Sequence, residues 1–505
     1  MENTWRIPSG QTGKAIIYLN LALTACYLAW WMIPGHIGHP VLYILLFVGE
    51  LYHIAMAVMF WHTAWPRKGE SYRKGSVTSV VDVYIPVAGE PVEVVRETVR
   101  KAAAMQGRKT VYILNDSFVA GKPDWQSYER LAVELGVECI TRKTGGGAKA
   151  GNINHAVSRT HGEIIVIFDA DMVPRNDFLT KTLPYFADHR VGFVQTPQYY
   201  KNAPASPISR GAWAQQELFF GPIMKGKDGC GAAFICGTNV AIRRAALEEA
   251  GGMFEKSIAE DFLTSLFIHE KGWRSVYVPE VLAAGLAPED LLSYYKQQHR
   301  WARGSLEVMY RYNPLFRKGL SRDQKIQYLS STMYYLNGIV VLLDIIMPLI
   351  YLFWGIQAVT SATTSFALFF VPFILSSLYT LYMVSGAALN LQAISFSQAS
   401  FTLQISAAIA SLIGLKSSFA VTSKVKRNGN YIVLAIPHIV YVIIAVAASV
   451  YGIYVRGFVP ATITNVAWCA FNIFMFAPFI ASSYDWRPRE APLHNFVSSV
   501  KKSAT

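Results

Sequence analysis

The chain has 505 residues, and 52% of them are hydrophobic against 16% charged, a balance that excludes an ordinary soluble domain and calls for lipid as part of the solvent. The formal charge of +13 does not mark a nucleic-acid binder, because no nucleic-acid motif accompanies it and the basic residues collect beside apolar segments, at Arg67, Lys68, Arg73 and Lys74 and again at Lys416, Lys424, Lys426 and Arg427. The five cysteines, Cys26, Cys139, Cys230, Cys236 and Cys469, form no CxxC pair and have no histidine at metal spacing, so neither a disulfide framework nor a zinc site is expected and the catalytic part should face a reducing compartment.

In chain order, apolar runs of roughly 20 residues, enough to cross a bilayer, lie at 14–33 and 41–62, so 1–65 reads as a transmembrane helix pair. The first is too long, and too quickly followed by the second, to be a cleaved signal peptide. Residues 66–320 have the composition of an α/β domain. Strand-like VDVYIPV (81–87), TVYILND (110–116) and EIIVIFD (163–169) alternate with helical PVEVVRETVRKAAAMQ (91–106) and KAGNINHAVSR (149–159), the pattern of a mainly parallel sheet wrapped by helices. Apolar runs resume at 333–356, 365–386, 431–455 and 462–482, within a membrane region spanning 321–485. Residues 392–415 are only moderately apolar and read as a helix at the interface, since a seventh crossing would put the basic segment 416–428 outside. The short links 34–40 and 357–364 carry no Lys or Arg, which predicts that both termini, including the tail 486–505, and the α/β domain are cytoplasmic.

Ligands in open α/β sheets bind at the carboxyl ends of strands. Two of the predicted strands deliver acids there, Asp116 from one and Asp169 with Asp171 from another. One acid after a strand is equally a turn former or a helix cap. Two at i, i+2 are a costly like-charge pair that a divalent cation shared with substrate phosphates would relieve. GGGAKAGN (145–152) sets Lys149 after a glycine turn at a helix start, either an anion site or a flexible loop; GxxxxGK[ST] is absent, so it is no P-loop. Asp261, in Ala259-Glu260-Asp261, is either a helix-dipole partner or a general base. In QQHRW (297–301) helical spacing brings Gln297, Arg300 and Trp301 to one face, suiting a diphosphate and a sugar ring, or else a membrane-surface Arg/Trp pair.

Taken together, NDS (115–117), KAGN, DAD, VQTPQYY (194–200), FICGTN (234–239), AED and QQHRW resemble the family-2 processive glycosyltransferases, cellulose synthases above all. The resemblance extends to SFAVTSK, where Phe419, Val421, Thr422 and Lys424 match the FxVTxK gating loop of that family, so it covers nearly the whole chain. It implies a GT-A-like domain inserted in a membrane domain of about six transmembrane helices plus interfacial helices. It implies that Asp116 contacts the uridine, that Lys149 and Asp169 hold the donor, and that Asp171 ligates Mg²⁺ or Mn²⁺. Asp261 would be the base, with Asp169 also part of the catalytic set. Gln297 and Arg300 would hold the diphosphate, Trp301 would stack under the acceptor sugar, and Phe234, Cys236 and Gly237 would line the acceptor site. Thr422 and Lys424 would close over the nucleotide.

The implied activity is inverting transfer from a UDP-sugar to a growing β-polysaccharide, with export across the cell membrane. UDP-glucose and a β-1,4 glucan are the first expectation. β-1,3 or mixed-linkage glucan, a chitin- or hyaluronan-type product from UDP-N-acetylglucosamine, and single transfer to a lipid-linked sugar are the alternatives. The partners expected are the donor, the polymer, the bilayer and cell-envelope accessory subunits, with no nucleic acid. Three positions depart from the family pattern: Ala259 for Thr, Asn115-Asp116-Ser117 for Asp-Asp-Gly, and Gly89 for the Asn before Glu90. A cyclic-di-GMP-binding barrel is not expected.

Overall fold

The computed structural model describes residues 11–65, 67, 74–75, 79–385, 390–415 and 430–484. Ten strands build the α/β part: β1 (Val81–Val87), β2 (Lys109–Asn115), β3 (Glu138–Thr141), β4 (Ile164–Ile167), β5 (Val173–Pro174), β6 (Val191–Gln195), β7 (Tyr199–Tyr200), β8 (Val240–Arg243), β9 (Arg274–Tyr277) and β10 (Ala283–Gly285). Seven form one sheet in the order β3-β2-β1-β4-β8-β6-β9, and β5-β10-β7 form a second, smaller one. The near-continuous apolar runs of β1 and β4 follow from burial on both faces of a helix-covered sheet. The amphipathic helix Val92–Ala103 turns Val95, Thr98, Val99 and Ala102 into that core.

The large sheet is mainly parallel, as its sequence pattern predicts, but β8 runs antiparallel to both β4 and β6. This inversion matters for the site. Val240, the first residue of β8, pairs with Ile167 at the end of β4 and with Gln195 at the end of β6, so the loop preceding β8 arrives beside the carboxyl ends of its neighbours.

Among the described residues, six helices are long and apolar enough to cross a bilayer. The spans are Gln11–Trp31, Pro40–Ala64, Asn337–Trp354, Thr363–Ser385, Ile432–Arg456 and Pro460–Ala481. The third continues from a polar helix, Arg322–Met333, that starts with a capping box between Ser321 and Gln324. The first span packs on the fourth through Tyr27, Trp30 and Phe373, and the last two spans pack on the third and on one another. Residues 391–412 form two short helices, Leu391–Ala399 and Phe401–Leu412, neither long enough to cross. They pack against the last span and against the helix Leu291–Arg311.

Away from the α/β domain, the loop between the first two spans meets the loop after the third. Ile37 bridges Val359, Gly38 N–H donates to Ala358 O at 3.1 Å, His39 N–H to Gln357 O at 2.8 Å and Thr360 N–H to His36 O at 3.0 Å. A Cβ on Gly38 would lie 2.3 Å from Gln357 O, so only glycine allows this approach.

Candidate active site

Asp116 stands just past β2, and its carboxylate accepts from Arg142 Nε at 2.7 Å and Nη2 at 2.6 Å. Both side chains are buried, so this bidentate pair is a fixed part of the fold rather than a surface contact. The same guanidinium donates to Gly146 O at 2.5 Å and Ala148 O at 3.2 Å, which ties the strand end to the glycine turn. That turn passes through left-handed backbone at Gly147 (φ 65°) and Ala148 (φ 45°) and then starts the helix Ala148–Val157, which carries Lys149.

Lys149 Nζ donates to the Asp169 carboxylate and, at 2.8 Å, to Gly237 O. Burial pulls its ammonium pKa down, but the charge and hydrogen bond of Asp169 outweigh burial and hold it above the usual lysine value. The Asp169 N–H donates to Thr238 Oγ1 at 2.8 Å, and Asp171, 5% exposed, accepts from Leu286 N–H at 3.2 Å. No set of three metal-binding side chains exists among the described residues. The oxygen-only donors of Asp169 and Asp171 suit a hard cation that takes its remaining ligands from substrate phosphate and water.

On the other side, Gly237 adopts φ 82°, and a Cβ there would sit 3.1 Å from Asp261 Oδ2 and 3.7 Å from Lys149 Nζ. Base candidate, lysine and loop backbone therefore meet around one glycine. Asp261 lies in the first turn of Glu260–Glu270, its Oδ1 accepting from Phe262 N–H at 2.7 Å. Burial raises the Asp261 carboxyl above the ordinary range and, with repulsion from Asp261, pushes Glu260 up to about 7. Ala259 packs on Gly304 of Leu291–Arg311, where a Cβ would come within 2.9 Å of the Ala259 methyl. This contact sets the acidic turn directly against the QQHRW helix.

The FICGTN loop is locked from below. Cys236 N–H donates to Gln195 Oε1 at 2.9 Å, Gln198 Nε2 donates to Cys236 O at 2.7 Å, and Ile235 N–H donates to Ser265 Oγ at 2.7 Å. Phe234 packs edge-on to Phe262 with centroids 4.7 Å apart. Burial pushes the Cys236 thiol well above its usual value, so it stays protonated. Gln297 is 7% exposed and its Oε1 is buried without a hydrogen-bond partner, an acceptor that a ligand hydroxyl would satisfy.

Asp116, Lys149, Asp169, Asp171, Phe234, Cys236, Gly237, Asp261, Gln297, Arg300 and Trp301 all border one cavity of about 2220 Å³. The same cavity continues along the second, third, fourth and sixth spans, past Glu50, Asp344, Phe370 and Trp468, as far as Gln357 and Ala358. Thr422 and Lys424, with the rest of the gating-loop match, lie outside the described residues.

The family profile described as "Glycosyltransferase like family 2" matches residues 79–304, and that described as "Cellulose synthase" matches 248–455. Together the two profiles run from residue 79 to residue 455, and the chain is similar to both families over that stretch. Curated relatives include cellulose synthase 2 of Novacetimonas hansenii, 33% identical over 75% of this chain and 24% of that one. The cellulose synthase catalytic subunits [UDP-forming] of Xanthomonas axonopodis pv. citri and Pseudomonas fluorescens are 32% and 30% identical over 65% and 75% of this chain. This chain covers 47% and 53% of those two, so it spans about half their length, and a quarter of the first. Among solved structures, a mannosyltransferase of Pyrobaculum calidifontis in complex with GDP-Man and Mn²⁺ superposes with a TM-score of 0.54 at 17% identity, covering 74% of this chain and all of that one. The fold is GT-A-like.

Against this cellulose-synthase-like background, the structure adds residues that sequence reading did not single out. Arg142 holds Asp116, and Gln195 and Gln198 position the FICGTN loop. Gly89 adopts φ 105°, a backbone conformation that L side chains such as the family's Asn rarely take, and a Cβ there would also displace the Lys122 side chain.

Proposed function

We propose that the protein is a processive inverting glycosyltransferase that polymerises glucose from UDP-glucose into a β-linked, cellulose-like glucan and passes the chain across the membrane. The observation that carries this reading is the continuity of one cavity from the strand-end carboxylates to the membrane helices. The similarity to cellulose synthase catalytic subunits supports the donor and the product class. The basic segments flanking the spans support a cytoplasmic catalytic domain and cytoplasmic termini.

In this reading Asp261 takes the proton from the acceptor hydroxyl as that oxygen attacks the anomeric carbon. The new C–O bond forms opposite the bond to the β-phosphate, which breaks with its electron pair leaving on UDP, so an α-linked donor gives a β-glycoside. Burial of Asp261 makes it a stronger base than a solvated aspartate. Arg300 and Gln297 hold the diphosphate, Asp116 lies at the uridine end, and Lys149 holds the Asp169 side chain in place beside the donor. Trp301 stacks under the terminal acceptor sugar, beside Phe234, Cys236 and Gly237. Asp171, with Asp169, would hold Mg²⁺ or Mn²⁺, which supplies charge neutralisation for departing UDP.

Purified full-length protein given UDP-glucose and Mg²⁺ should release UDP and form polymer that linkage-specific glucanases digest. Turnover with UDP-N-acetylglucosamine alone would move the donor assignment, and no turnover with any UDP-sugar would end the reading.

A further inference from the structure

The loop that follows Asp116 closes on itself through three backbone bonds, from Ala120 N–H to Asp116 O at 2.9 Å, Gly121 N–H to Phe118 O at 3.0 Å and Lys122 N–H to Ser117 O at 2.9 Å. It bridges two other loops. On one side a Cβ on Gly145, in the glycine turn, would lie 3.2 Å from Val119 Cγ1, and on the other side Lys122 reaches Gly89 in the loop after β1. Val119 and Lys122 border the cavity together with Gly89, Asp116 and Lys149.

Gly89 is one of the positions where this sequence departs from the family pattern, and Lys122 occupies the space that the departure leaves. The lysine stem lies across the bare glycine along its length, since a Cβ there would come 2.8 Å from Lys122 Cγ, 2.9 Å from Cδ and 2.4 Å from Cε. A lysine that only faces solvent needs no such seat. One whose stem is packed has already lost part of its rotamer freedom, so less is lost when its ammonium meets a ligand at the cavity wall. Charge adds a second observation. Arg142 is committed to Asp116 in a bidentate pair, Lys149 is committed to Asp169, and Glu90 turns its carboxylate back onto Ala88 N–H at 2.6 Å. The Lys122 ammonium has no hydrogen-bond or ion-pair partner among the described residues.

We propose that Lys122, seated on Gly89, is a donor-binding residue of this chain whose ammonium donates to the uridine of the bound nucleoside diphosphate. The inference rests on the sugar-transfer reading above and deepens it at the donor site. Uracil and ribose present carbonyl and hydroxyl oxygens that need N–H or O–H donors. The carboxylates of Asp116 and Glu90 supply none, and Arg142 is already used within the fold. A charge-assisted bond from Lys122 fills that gap. The loop carrying Lys122 begins at Asp116, which stands at the uridine end in that reading, so the contact falls on the nucleoside. It sets how tightly the donor is held and leaves the transfer step to the carboxylates beyond.

The test uses the detergent-solubilised full chain, with UDP and inorganic pyrophosphate as probes, each with Mg²⁺, and calorimetry as the readout. Lys122→Met keeps a stem to lie on Gly89 and removes the ammonium. It should weaken UDP binding about tenfold, as expected for one hydrogen bond from a charged donor, while pyrophosphate affinity stays within about twofold of wild type. In turnover the same variant should raise the KM for UDP-glucose and leave kcat unchanged. Should Lys122→Met lower the unfolding temperature, Lys122→Gln reads the same pair of affinities. UDP affinity unmoved by loss of the ammonium overturns the proposal, and so does an equal loss for UDP and pyrophosphate, which would put the ammonium on the diphosphate. The two readings fail separately: no turnover of any UDP-sugar by wild type ends the function reading, while turnover with UDP affinity indifferent to Lys122 ends this inference alone.

Discussion

The two ends of the cavity hold carboxylates in opposite ways. At the strand ends each acid has a dedicated counterpart: Arg142 for Asp116, Lys149 for Asp169, and backbone N–H groups for Asp171 and Asp261. In the membrane, Asp344 meets the His53 imidazole and Glu50 lies beside the Tyr27 hydroxyl and His53. The first arrangement fixes geometry, as chemistry on a diphosphate requires. The second gives them a hydroxyl and an imidazole on the cavity wall in place of a fixed cation. The contrast shows how one side-chain type serves as scaffold where fixed cations are supplied and as cavity lining where they are not.

The largest effect should come from the catalytic end. Asp261→Asn should lower the rate of UDP release from UDP-glucose by about 10²–10⁴-fold while UDP binding by calorimetry stays intact; loss of nucleotide binding in that variant would contradict its assignment as the base. Next comes Arg142→Ala, which strands the buried Asp116 carboxylate and should cost about 3–5 kcal/mol. It should appear as a lower unfolding temperature together with a raised donor KM. Arg142→Lys should recover little, since an ammonium cannot make the bidentate contact. Gly304→Ala forces a methyl against Ala259 and should cost about 1–3 kcal/mol, shifting the acidic turn and lowering kcat more than donor affinity.

Two pH measurements separate the regions further. With the Asp261 carboxyl raised by burial and Glu260 near 7, the acid limb of kcat/KM should lie above the ordinary carboxylate range, activity rising as the pair loses its proton. Glu260→Gln removes the repulsion and should move that limb to lower pH. The smallest effect concerns Lys227, buried at the junction with the spans, donating to Gln327 O at 2.7 Å, and pushed down to about 7 by burial. Its folded pKa is below the unfolded one, so between about pH 7 and 10 the unfolded chain binds the extra proton and stability should rise with pH. Lys227→Met should flatten that slope in thermal unfolding of the detergent-solubilised protein.

What the sequence made legible was local. β1 and β4 announce themselves by unbroken apolar runs, the spans by length, and the strand-end acids by their place after those runs. The face shared by Gln297, Arg300 and Trp301 follows from helical spacing alone. What stayed hidden depends on pairing across distance. Arg142 reads as one more base near a glycine turn until β3 is laid beside β2, which brings it onto Asp116, 26 residues earlier. Gln195 looks like the polar end of a strand until the antiparallel β8 swings residues 234–239 over it. The reversal of β8 left no mark in its four residues, because a strand buried on both faces reads the same in either direction. Glu50 and Asp344 were visible as acids in apolar runs, but their convergence required the second and third spans to pack together.

The clasp joining residues 36–39 to 357–360 bears on the order in which the molecule is made. During synthesis the first two spans emerge some 290 residues before the loop that theirs will bridge. Until then the N–H groups of Gly38 and His39 are without the carbonyls of residues 357 and 358. The first hairpin is therefore inserted early but finished late, and the part of the cavity wall formed by Gln357 and Ala358 is fixed to it only when the second half of the protein has followed.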